Sequence, residues 1–142
     1  MSVWINECVI QEENNMLINF TNHPSEKWTD DQKNSATRLY GGVRDLPFPA
    51  VPANAGTPEI IAMAEGAIDK ILAIKEENID TGTFAVMVQG EFTLTYAVVR
   101  RLLDRKIKAV SAVSERNVIE QVENGEVRKT IVFRFGGFRE YA

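Results

Sequence analysis

The chain has 142 residues, a formal charge of −4, and 44% hydrophobic against 25% charged residues. That length suits one compact domain, residues 1–142, able to bury its apolar surface without a disulfide or metal staple. The composition excludes a disordered tail, a collagen-like repeat and a disulfide scaffold. With 20 acidic residues against 16 basic ones, binding of DNA or long RNA by bulk charge is also disfavoured.

Residues 3–10, VWINECVI, and 16–20, MLINF, read as short strands split by the polar QEENN. The second is apolar throughout, as in a strand buried on both faces. The first is an N-terminal extension within residues 1–15, and Met16 stands where a first core strand begins. Thr21-Asn22-His23-Pro24 is a turn composition. Thr29 and Gln32 form a capping box that opens a helix, with Asp30 and Asp31 in its first turn and Gly41 as its stop. A short strand over 42–46 leads into LPFPAVPANAGTP, an irregular loop holding four of the five prolines. Thr57-Pro58-Glu59 caps a second helix, whose Ile60, Met63, Ala64, Ala67, Ile68, Ile71, Leu72 and Ile74 recur at helical spacing. FAVMVQ over 84–89 is a buried strand, Gly90-Glu91-Phe92-Thr93 a tight turn, and 94–105 a helix. A further buried strand spans 108–113 and ends in Ser114-Glu115-Arg116. Apolar and polar residues alternate on both sides of Asn124-Gly125, the signature of a hairpin with a two-residue type I′ turn.

Strands alternating with helices predict an α/β, Rossmann-like fold: a mainly parallel sheet, helices on both faces and a C-terminal β-hairpin. Ligands of such sheets sit beyond the carboxyl ends of the strands, where strand order reverses. Three polar loops meet that description: 21–24, 89–93 and 114–116.

Familiar chemistry has few carriers here. Cys8 and His23 are the single cysteine and histidine. A lone cysteine points to a reducing cytoplasm. The carboxylates show no metal-loop spacing, so no metal site is expected. No serine has the flanks of a nucleophile elbow. GxGxxG and P-loop patterns are absent, which leaves no support for a dinucleotide cofactor or ATP. No run approaches the ~20 apolar residues of a membrane helix, and the first residues lack a secretory pattern. His23 belongs to the residue type that exchanges protons near neutral pH, so it is a candidate acid or base; it could equally be an ordinary turn residue. Asn22 and Thr21 could contact a ligand or cap the turn. Trp28 could stack on a base or staple the following helix. Gly90 lets a phosphate approach the helix N-terminus or marks tight packing. Arg116, Arg134 and Arg139 could neutralise phosphates or simply face solvent. The basic cluster of Arg100, Arg101, Arg105, Lys106 and Lys108 reads as structural, around a helix C-terminus.

Two stretches, MLINFTNHPSEKWTDDQKNSA at 16–36 and VMVQGEFTLTYAVV…FRFGGFREY within 86–141, resemble small CRISPR-associated accessory proteins of type III systems, the CARF-like ring nucleases and their relatives. The motifs are the polar loop with Asn22-His23, the V-Q-G-E-x-x-x-T-Y block and the terminal F-R-E-Y. The resemblance implies a CARF-like homodimer that binds a cyclic oligoadenylate, most simply cyclic tetra-adenylate, across its two-fold axis. It also implies metal-independent, cofactor-free cleavage of the ring, in which a ribose 2′-hydroxyl attacks the adjacent phosphate and leaves a 2′,3′-cyclic phosphate. His23, as acid or base, and Glu91, as a base or as the partner of a ribose hydroxyl, are the candidate catalytic residues. Thr21, Asn22, Trp28, Gln89, Gly90, Phe92, Thr93, Thr95, Tyr96, Ser114, Arg116 and Arg139 are the candidate ligand contacts. Glu140 and Tyr141 complete the terminal motif. The pattern departs at Phe135, near which such relatives often carry a histidine. A non-catalytic module that sequesters the same messenger, and a Rossmann-like interaction subunit, are the alternatives.

Overall fold

The computed structural model describes residues 15–77 and 82–142. The strand expected over 3–10 lies outside the described residues. In chain order the elements are β1 (Met16–Thr21), a single 3-10 turn (Ser25–Lys27), α1 (Asp30–Tyr40), β2 (Gly42–Asp45), α2 (Thr57–Glu77), β3 (Phe84–Gln89), α3 (Phe92–Asp104), β4 (Lys108–Glu123) and β5 (Glu126–Glu140). They form a mixed α/β structure around one five-stranded sheet of order β2-β1-β3-β4-β5. The first four strands are parallel, and β5 returns antiparallel to β4.

Alternation along each strand divides the interior in two. Ile18, Phe20, Val86, Val88 and Ala109 face α2 and α3, meeting Ile60, Ala64, Ile68, Ile71, Leu94, Val98 and Leu102. Leu17, Ala85, Met87 and Val110 face the other way, toward Trp28 and toward Ala36 and Tyr40 of α1. Helices thus cover both faces. β1 and β3 carry apolar residues on both sides because each lies between two parallel neighbours and two helical layers.

Local signals explain most boundaries. Thr29 Oγ1 accepts from Gln32 N–H at 3.4 Å and opens α1. Gly41 closes it with φ +87°, and a Cβ there would lie 2.5 Å from Asn15, so both backbone and space require glycine. Asn124 and Gly125 take φ 55° and 80°, the left-handed pair that a type I′ turn needs.

Two expectations are corrected. α3 begins at Phe92, inside the expected turn, because Glu91 caps it. β4 does not end near residue 113. It runs on to Glu123, paired with β5 from Val110 onward. Ser114 and Arg116 therefore lie in a strand, opposite Phe135 and Phe133, and no loop exists at 114–116. Polar composition suggested an end; pairing with β5 satisfies the backbone and carries the strand through.

Candidate functional site

Strand order reverses between β1 and β3, and Thr21 pairs with Gln89 at their carboxyl ends. The loops after these two strands are therefore neighbours, as the fold rule requires of a ligand site.

The loop after β1 is held by a buried polar hub. Asn19, almost fully buried, donates from Nδ2 to the His23 carbonyl at 2.8 Å and to Asp45 Oδ1 at 2.9 Å. Thr21 Oγ1 donates to Asn19 Oδ1 at 2.8 Å and accepts from His23 N–H at 3.1 Å. Trp28 Nε1 donates to the same His23 carbonyl at 3.1 Å. Asp45, at the end of β2, also accepts from Ser25 N–H and Oγ. Each buried polar atom in the hub thus finds a partner, which makes the loop costly to rearrange. The side chains of Asn22 and His23 remain exposed on this anchored backbone. Thr21 and Trp28 belong to the support: Thr21 is buried, and the Trp28 ring packs in the core with Leu17, Ala36, Tyr40 and Met87. The structure thus places both beneath the surface, as support for the exposed Asn22 and His23. Sequence reasoning missed Asn19 and Asp45; a lone polar residue inside the apolar run MLINF was the available signal.

At the end of β3, the space beside Gly90 is taken by the chain itself. A Cβ on Gly90 would lie 2.5 Å from the Phe48 ring. Phe48 is buried, stacks at 4.9 Å from Phe20 and donates its N–H to the Thr21 carbonyl at 3.3 Å. The proline-rich loop thus lays an aromatic plug over the carboxyl ends of β1 and β3. Tight packing against Phe48 accounts for a glycine at position 90. Gln89 is engaged as well: its Oε1 accepts from Ala112 N–H at 2.9 Å, bonding the end of β3 to β4 after their ladder stops at Met87–Val110.

Glu91 folds over the N-terminus of α3. Its carboxylate accepts from Leu94 N–H at 2.8 Å, Thr93 N–H at 2.9 Å and the Thr93 hydroxyl at 2.7 Å. The Leu94 bond, then those of Thr93, hold its carboxyl below the usual carboxylate range. α2 is closed in a similar way, Glu59 Oε2 accepting from Gly56 N–H at 3.0 Å. Carboxylates of the chain thus stand at both helix N-termini. An incoming anion must find its positive charge elsewhere.

Positive charge stands further along α3. A groove of about 490 Å³ runs between α2 and α3, bordered by Gly56, Ile60, Phe92, Tyr96, Arg100 and Arg101. Phe92 is 89% exposed and Tyr96 67%. Phe92, Tyr96 and Arg100 recur every four residues and so share one face of the helix. Arg101 donates to the Ala97 carbonyl at 3.0 Å. Two arginines read from sequence as purely structural therefore border the groove that the candidates Phe92, Thr93 and Tyr96 line. A second groove of about 420 Å³ continues past Thr95, Tyr96 and Arg100 to Tyr141. The Thr95 hydroxyl is buried with no hydrogen-bond partner among the described residues.

The terminal motif is largely structural. Tyr141 donates its hydroxyl to the Val88 carbonyl at 2.7 Å, and burial pushes its phenol above the ordinary value. Glu140 pairs with Lys108 at 3.1 Å. Arg139 stands exposed opposite Ser111. Among the described residues no group of three His, Cys, Asp or Glu could hold a metal ion, and no helix is long and apolar enough to cross a membrane.

No curated protein and no solved structure matches the chain. A family model described as the uncharacterized protein MJ1673 family matches residues 15–139, from just before β1 to one residue short of the end of β5. The chain belongs to the MJ1673 family.

Proposed function

We propose that the chain binds a cyclic oligoadenylate beside the carboxyl edge of its parallel strands and cleaves the ring with the ligand's own ribose hydroxyl. The observation that carries this reading is the groove beside α3, where two exposed aromatic rings and two arginines share one wall. Adenines stack on Phe92 and Tyr96, a contact that any base face can make. Arg100 and Arg101 supply the charge for phosphates. Asn22, His23, Thr93 and Arg139 are the remaining exposed candidates for contact.

In the reaction a ribose 2′-oxygen attacks the adjacent phosphorus, and the bond to the 5′-oxygen breaks. The imidazole of His23 accepts the 2′-proton, water protonates the departing 5′-oxygen, and the imidazolium returns its proton to the hydroxide so formed. The products are a 2′,3′-cyclic phosphate and a 5′-hydroxyl. The chain's contribution is alignment of the attacking and leaving oxygens and stabilisation of the charge that develops on phosphorus. The anchored His23 backbone suits that task, because its position does not depend on a flexible turn.

A second reading, sequestration without cleavage, is favoured by Glu91. Its carboxylate is committed to the α3 cap, which withdraws it as the second acid–base group. Incubation of the purified chain with labelled cyclic tetra-adenylate in EDTA separates the two. Linear products ending in 2′,3′-cyclic phosphate support cleavage; intact ligand held by the protein supports sequestration; no binding to any ring size defeats both. The His23→Ala variant is expected to lose cleavage while retaining binding. An unchanged single-turnover rate removes His23 from the mechanism.

A further inference from the structure

β3 pairs with β4 only as far as Val110. Beyond it, ten residue pairs from Ser114–Phe135 to Glu123–Glu126 form a ribbon of two strands alone, about 34 Å long. Two strands by themselves are marginal in water.

The ribbon has two unlike faces. Directly opposed residues of an antiparallel pair project to the same side. One face therefore carries Phe135, Phe133, Val118 with Ile131, and Val122 with Val127, along with Arg116 and the Glu120–Lys129 pair at 3.8 Å. The other carries Glu115 with Arg134, Asn117 with Val132, Ile119 with Thr130, Gln121 with Arg128, and Glu123 with Glu126, so its apolar residues are two against six. At the root, register shifts between Val113 and Ser114. Val113 pairs with Gly137 and Ser114 with Phe135, so Gly136 is the extra residue of a bulge. The bulge returns Phe135 to the side of Phe138: their rings lie 5.1 Å apart, and Phe138 meets Tyr40 of α1 at 5.5 Å. The apolar face is thus continuous with an aromatic row on the α1 side of the sheet. Along it Val118, Val122, Val127, Ile131 and Phe133 are 46–73% exposed. They leave roughly 500 Å² of apolar surface open, a size at which the largest patch of a soluble chain is often an interaction site.

We propose that this face is an interface that closes against a second copy of this chain. The pattern is self-complementary about the Val118–Ile131 rung. Let two ribbons pack face to face and antiparallel, with a two-fold axis through that rung. Val118 and Ile131 then meet their own counterparts. Arg116 lies over Glu120 of the partner subunit, and Phe133 over Lys129 of the partner subunit. Phe135 lies over Val127 of the partner subunit. Arg116 has no ion pair among the described residues, so the second copy supplies the carboxylate it lacks. Both copies use the same patch, as a two-fold dimer requires. The apolar area of two copies together reaches the ~1,000 Å² expected of a specific interface. The interface does not depend on what the groove beside α3 binds.

Sedimentation velocity on the full chain across the micromolar range tests this. The unmodified chain should sediment as a dimer. Arg116→Glu places like charges together, as does Glu120→Arg, and each should raise the dimer dissociation constant at least about tenfold. An equimolar mixture of the two variants restores both cross-contacts and should recover the dimer. Gln121→Glu, on the opposite face, should leave association unchanged. A monomeric unmodified chain, or a mixture that sediments no differently from its separate components, overturns the proposal. So does a Gln121→Glu effect equal to the others.

Discussion

The β1–β3 core and the β4–β5 ribbon are built from the same residue types, yet only one is complete. In the core, Leu17, Ile18, Val86 and Val88 are fully buried between two helical layers, and even Asn19 has partners. In the ribbon, valines, an isoleucine and a phenylalanine stand 46–73% in solvent on one face. Hydrophobic residues fill both faces of β1 and β3 and gather on one face of the ribbon; covering layers arrive for the first and not for the second. A strand pattern therefore states which face wants burial, and the topology decides whether the chain itself supplies the cover.

Substitutions should expose that contrast. The largest effect is expected for Trp28→Ala, which empties a core position and removes a donor to the His23 carbonyl. Denaturant titration should show a loss of about 3–5 kcal/mol. Next, Gly90→Ala forces a methyl against the Phe48 ring and should cost about 1–3 kcal/mol. That cost should shrink in a Phe48→Ala background, and a double-mutant cycle reads the coupling. If the two substitutions simply add, the ring does not explain the glycine.

Glu91→Gln should lower the melting temperature near neutral pH. The folded carboxyl is held below its ordinary value by the cap. Its contribution is therefore complete above the unfolded carboxylate range and is lost as pH falls through the folded value. The gap between variant and unmodified chain should close on acidification, and a gap that widens would contradict the cap. Smallest of all, Val127→Lys at the ribbon tip should change the stability of the dilute chain by within ~0.5 kcal/mol, although it abolishes self-association.

Much of the fold was legible because the signals were local. The caps at Thr29 and Gly41, the Asn124-Gly125 turn and the apolar runs of β1 and β3 each state their own structure. The site was less legible because its decisive contacts are long-range. Nothing near Gly90 in sequence shows that Phe48 fills its Cβ position. Nothing near Trp28 shows that its ring turns into the core to meet Met87. The loop at 114–116 failed for a related reason: exposed polar residues read as a strand's end when the partner strand lies twenty residues on. Arg100 and Arg101 were visible as charge, but their place beside Phe92 and Tyr96 follows from how α3 lies along α2.

The most direct test of the functional reading is a titration of cyclic tetra-adenylate onto the unmodified chain and onto Phe92→Ala. Phe92 is almost fully exposed, so its removal should leave the fold intact. If its ring stacks on an adenine, the unmodified chain binds and the variant binds about 5- to 150-fold more weakly, the range given by stacking energies of ~1–3 kcal/mol. Absence of binding, or equal affinity of the two proteins, contradicts the assignment of the groove beside α3 as the ligand site.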